Sequence, residues 1–110
     1  MKLPNCDCAF VDMDKLQGYC LNTNHRQGKH KARVFAAAIG LTADHAEFLR
    51  DALLNAALNY DATPTEAIEH GQLYVLDFPL SGFTGQAMVR SGWIVRKNED
   101  FPRLTSCYVL

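Results

Sequence analysis

Apolar residues recur at helical spacing through the first sixty positions and then, from Leu73, gather in short β-branched and aromatic runs, so the chain predicts helices first and strands last. Asp12 is placed to cap a short helix in which Met13, Leu16, Tyr19 and Cys20 share a face. Gly18 weakens this helix, and Asn22 to Asn24 end it. A second helix is predicted from near Lys29 to Gly40, with Val34, Phe35, Ala38 and Ile39 as its apolar stripe and Gly40 as a left-handed stop. Thr42 then caps a third, long helix whose face to be buried carries Phe48, Leu49, Ala52, Leu53, Ala56 and Tyr60. Asp44 sits at its start, where the helix dipole favours negative charge.

Thr63-Pro64-Thr65-Glu66 has the form of a capping box with proline at the first helical position, and predicts one or two further helical turns before Gly71. Strands are expected over 73 to 80, 86 to 96 and 103 to 110, separated by the turn sequences SGFTG and KNEDFP. The fold class that follows is α+β: three N-terminal helices packed on a C-terminal antiparallel β-meander of three to four strands, with one sheet face buried on the helices.

At 110 residues the chain suits one domain, 1–110, and 48% hydrophobic with 21% charged residues is an ordinary globular balance. Pro4, Asn5, Asp7 and Asp12 interrupt any apolar run at the amino terminus, and no other run approaches the roughly 20 residues of a membrane span. A cytoplasmic protein without a membrane partner is therefore expected. In that setting Cys6, Cys8, Cys20 and Cys107 read as free thiols, the last two as small core residues. The Cys6-x-Cys8 spacing is too tight for ordinary zinc ligation, and no metal or other cofactor is expected.

Charge changes the picture locally. The formal net charge is only -1, yet four of the eleven Lys and Arg residues fall between Arg26 and Arg33, in the segment NHRQGKHKARVF. Cations in a first helical turn oppose the helix dipole unless an anion is bound, and Gly28 with the free N–H groups of a helix start would let a phosphate approach. Arg26, Gly28, Lys29 and Arg33 are thus candidates for phosphate binding. His30 and Lys31, four residues before Val34 and Phe35, are expected at the mouth of the core. The plainer reading is a solvated basic face, since lysine and arginine stems often lie along apolar surface with their charges in water. His25 and His30 flank the glycine, and imidazole exchanges protons near neutral pH. On the strands, alternation puts Arg90, Gly92, Ile94 and Arg96 on one face and Val89, Ser91, Trp93 and Val95 on the core face. Arg90 is expected to come near Thr105 across a hairpin.

The stretches LPN, LQGYCLNTNHRQGKHKARVFAAAIGLT, GQLYVLDF and VRSGWIVRKNEDFPRLTSCYVL resemble a small bacterial domain family of uncharacterised function with the pattern LN..H..G..KA..F and VR..WI followed by PRL.T.Y. That family in turn is similar, in element order, to the barnase/EndoU/colicin/RelE superfamily of metal-independent ribonucleases. The resemblance implies a groove with catalytic residues His25, His30, Lys31, Arg90 and Thr105 and with Tyr108 at its RNA-binding surface; Arg103, which alternates with Thr105 on the last strand, is a further candidate for RNA binding. It implies endoribonuclease chemistry in which a histidine takes the 2′-hydroxyl proton and Lys31 and Arg90 stabilise the charged phosphate. The usual proline after the first histidine is replaced by Arg26. A pI of about 6.4 suits a local RNA site better than general nucleic-acid affinity. The alternative is a non-catalytic interaction module, accessory or immunity-type, that binds a protein partner or a second copy through an exposed sheet edge.

Overall fold

The computed structural model describes all residues, 1–110. A 3₁₀ turn (Cys6–Cys8) leads to α1 (Met13–Lys15), which continues as a π-type turn (Leu16–Cys20). Next come α2 (Lys29–Ile39), a 3₁₀ turn (Ala43–His45), α3 (Ala46–Asn59), and strands β1 (Thr63–Ile68), β2 (Gly71–Ser81), β3 (Gln86–Arg96) and β4 (Pro102–Val109). The strands form one antiparallel meander in the order β1-β2-β3-β4. The α+β architecture, helices in the first half and sheet in the second, is as the sequence predicts.

The caps explain the helix boundaries. The Asp12 carboxylate accepts a hydrogen bond from the Asp14 N–H, and Gly40 closes α2 at φ 74° in the left-handed region. His45 replaces the expected acid in a capping box with Thr42, its Nδ1 accepting from the Thr42 N–H at 3.0 Å.

The segment after Thr63 departs from expectation. It is strand β1, not helix, and pairs with β2 from Thr63 opposite Val75 to Ile68 opposite Gly71. Thr63, Thr65 and Ile68 favour extended backbone, and Pro64 fits there because β1 is an edge strand, where a missing N–H is tolerated. A register shift between Pro64 and Ala67 further breaks the edge. Tertiary pairing thus overrides a local capping signal.

The core lies between the helices and one sheet face. Leu76 and Phe78 of β2, Val89 and Trp93 of β3, and Leu104 and Cys107 of β4 meet Leu16, Cys20, Phe35, Ile39, Leu49 and Leu53. Trp93 is wholly buried; its indole N–H donates to Ser91 Oγ at 2.9 Å, and that hydroxyl donates to the Leu76 carbonyl at 2.7 Å, so the buried polar atoms are satisfied. Two helical faces are rotated from expectation. On α2 the buried positions are Ala32, Phe35 and Ile39, while Val34 is 43% exposed. On α3 Ala46, Leu49, Leu53, Ala56 and Ala57 are buried, leaving Phe48 and Tyr60 each 38% exposed. The buried lines run through Ala32 on α2 and through Ala46, Ala56 and Ala57 on α3, which turns the larger Val34 and Phe48 toward solvent. No helix is long and apolar enough to cross a membrane.

Candidate nucleic-acid interface

On the sheet face turned away from the core, direct cross-strand pairing aligns Asp77 of β2, Arg90 of β3 and Tyr108 of β4 in one row. Arg90 donates from Nε to Asp77 Oδ1 and from a terminal guanidinium nitrogen to Oδ2, both at 2.9 Å. These hydrogen bonds, seconded by charge, raise the Arg90 pKa and hold the Asp77 carboxyl below its ordinary range. At the far end of the row Lys31 reaches from α2, bringing Nζ to 4.4 Å from the centre of the Tyr108 ring, a cation–π contact. Lys31, Tyr108 and Arg90, drawn from opposite ends of the sequence, therefore form one continuous surface.

The basic segment carries further charge around the start of α2, with Lys29 and Arg33 roughly half a turn of the helix away from Lys31. Arg26, Lys29, Lys31 and Arg33 have no carboxylate partner, and neither do Lys15 and Lys97, whereas Lys2, Arg50, Arg90, Arg96 and Arg103 all have one. His30 and Lys31 are exposed rather than set into the mouth of the core, because the buried line of α2 runs through Ala32 and Phe35. Gly28 does not serve as an open approach for a ligand. It is buried, and a Cβ there would lie 2.8 Å from the Tyr19 carbonyl oxygen, so its lack of a side chain serves packing.

His25 is committed locally. Its Nδ1 accepts from the N–H groups of Gln27 and Gly28, each at 3.0 Å, and its ring meets Tyr19 edge-on at 4.7 Å. The lone pair a general base requires is therefore occupied, leaving Nε2–H as a donor. His30 has no such engagement.

Thr105 does not join Arg90. A register shift in the β3–β4 ladder falls between Gly92 and Trp93, and Thr105 is the extra residue on β4; its hydroxyl lies 2.7 Å from where a Gly92 Cβ would stand. It lines a cleft of about 600 Å³ together with Ile94, Arg96 and residues of two turns. Arg103 is held by Glu99 through two hydrogen bonds of 2.8 and 2.7 Å, between the rings of Phe10 at 5.1 Å and Phe101 at 4.9 Å. The Arg103 pKa is raised chiefly by that hydrogen-bonded carboxylate, and Glu99 is lowered by the same contact. Sequence reasoning missed Asp77 and Glu99 as partners of these arginines. For Asp77 the signal becomes legible only with the β2–β3 register, which places it opposite Arg90.

Three helices against one face of a four-stranded meander, with a cationic and aromatic strip running onto the other face, define a small α+β domain. The chain belongs to the family described as a domain of unknown function (DUF6883), whose model matches residues 2–110. No curated protein and no solved structure matches it.

Proposed function

We propose that this domain binds single-stranded RNA along the strip that runs from the amino-terminal half of α2 over Tyr108 to Arg90. The observation that carries the reading is Lys31, a cation without a carboxylate partner, seated on Tyr108 in the row that ends at Arg90, with the equally unpaired Arg26, Lys29 and Arg33 around the start of the same helix. Unpaired cations release counterions from phosphates, and an aromatic ring beside them offers a stacking platform that tolerates any base. Arg90 is a weaker contributor while Asp77 neutralises it. The ribonuclease-like reading rests on the same residues. For cleavage the O2′–P bond would form, the P–O5′ bond would break, the 2′-hydroxyl proton would pass to His30, since the His25 lone pair is engaged, and the departing 5′-oxygen would take a proton from water.

Fluorescence anisotropy of a labelled RNA of about ten nucleotides tests it, measured from roughly 50 to 200 mM salt. Replacing Lys29, Lys31 and Arg33 together by alanine is expected to weaken binding at least about tenfold and to reduce the salt slope by about 2, at about 0.7 per lost phosphate contact. Unchanged affinity would remove the interface. Gel analysis of the same RNA, with a 2′-deoxy control, separates cleavage from binding.

A second reading, a protein-interaction module, is favoured by an exposed aromatic group: Phe83 is 60% exposed and packs on Phe48 at 5.1 Å and His45 at 4.6 Å. For its self-associating form, light scattering that shows a strict monomer would count against it.

A further inference from the structure

The cleft beside Thr105 is unclaimed by the strip described above, and most of its polar groups lack protein partners. Lys97, Asn98, His70 and the Thr105 hydroxyl make no side-chain hydrogen bond or ion pair within the chain. Arg96 reaches Glu99 only at 3.9 Å, because both Glu99 oxygens already accept from Arg103. Ile94 is the one apolar residue of the lining. A smaller cavity of about 120 Å³ shares Ile94, Arg96 and Thr105 and adds Lys15. Two carboxylates, Glu69 in the cleft and Asp12 in the smaller cavity, stand against the cations Arg96, Lys97 and Lys15. A volume near 600 Å³ is in the range that holds a nucleotide-sized ligand.

Placement on β3 links this cleft to the strip. Arg90, Gly92, Ile94 and Arg96 share the open face, so the two arginines stand about 20 Å apart along one strand, at roughly 3.4 Å per residue. Between them Gly92 presents no side chain, and the Thr105 hydroxyl occupies part of the space a Cβ would fill. The face therefore reads cation, saddle, apolar floor, cation.

We propose that the cleft is a second phosphate-binding subsite, in which Arg96 and Lys97 hold a phosphodiester and Thr105 and Asn98 hydrogen-bond the same nucleotide of a single strand whose other end lies on Lys31 and Tyr108. This inference rests on the RNA-binding reading. The strand crosses the sheet over Gly92, and Ile94 packs against its sugar or base.

The test uses the full chain and the same RNA of about ten nucleotides. The double variant Arg96→Ala, Lys97→Ala changes exposed positions, and a thermal melt checks that it folds. It is expected to bind the RNA about tenfold more weakly and with a salt slope lower by about 1.4, and in the wild-type protein the Thr105 and Asn98 amide resonances shift as RNA is added. If this variant binds like wild type while the α2 triple variant is weakened, the subsite is refuted and the RNA reading stands. If both variants bind like wild type, both fall. A free nucleoside monophosphate that alone reproduces the full Thr105 and Asn98 shifts, with RNA affinity of the double variant unchanged, would assign the cleft to a free nucleotide and overturn the strand path.

Discussion

Asp77 and Arg90 face each other across β2 and β3 and are joined by two hydrogen bonds of 2.9 Å, so the arginine at the sheet end of the strip is neutralised by its own sheet. Removing the carboxylate charge frees the guanidinium for phosphate. Asp77→Asn is expected to raise RNA affinity severalfold and to steepen the salt slope by about 0.7, one added contact. Anisotropy across a salt series reads both. An unchanged slope would place Arg90 outside the interface.

The same pairing makes a pH signature. Asp77 and Glu99 are held below ordinary carboxylate values chiefly by hydrogen bonds from Arg90 and Arg103. A carboxyl whose pKa is lower in the folded than in the unfolded chain stabilises the fold in full above its unfolded pKa, and that contribution is lost as pH falls through the folded value. The window for both lies below about pH 4. Urea midpoints of wild type and of the double variant Asp77→Asn, Glu99→Gln should therefore differ most near neutrality and converge in acid. Curves that stay parallel would show that neither pair contributes through ionisation.

Much of this arrangement is written locally, and the exceptions have a common cause. The Asp12 and Thr42 caps, the Gly40 stop and the span of β3 follow from residues within a turn or two of each other, and the structure has them. The tyrosine and the lysine of the basic strip are also visible as candidates. What is hidden depends on register and on helix rotation. Thr63 to Glu66 satisfies a helix-start pattern, but the edge of β2 claims it as a strand. Alternation predicts Arg90 near Thr105; the extra residue on β4 puts Tyr108 opposite Arg90 and leaves Thr105 beside Gly92 at the cleft. The helices are rotated so that Ala32 on α2 and Ala46, Ala56 and Ala57 on α3 are buried while Val34 and Phe48 stay partly exposed.

Ser91 is the only polar side chain in the buried class, and it serves two neighbours at once, accepting from Trp93 and donating to the Leu76 carbonyl. Ser91→Ala strands the indole N–H in an apolar core. The expected loss is about 1–3 kcal/mol in chemical denaturation, the range for a buried donor deprived of its partner. A loss well below that range would mean that the indole finds another acceptor.

His25 offers the sharpest separation of a structural role from a chemical one. Its Nδ1 caps the N–H groups of Gln27 and Gly28 immediately before α2, so it fixes where Lys29 and Lys31 are presented. Asparagine carries an acceptor oxygen that can cap the same turn; alanine carries none. His25→Ala is expected to cost about 1 kcal/mol, the usual loss for a missing cap, and to weaken RNA binding because the start of α2 loosens. His25→Asn should retain most of both stability and affinity. If the protein cleaves RNA and His25 takes part in proton transfer, the asparagine variant would instead bind normally and fail to cut. Nitrogen-detected NMR of the ring decides the premise: a proton on Nε2 and a bare Nδ1 support the cap, and a protonated Nδ1 in the folded protein at neutral pH would refute it.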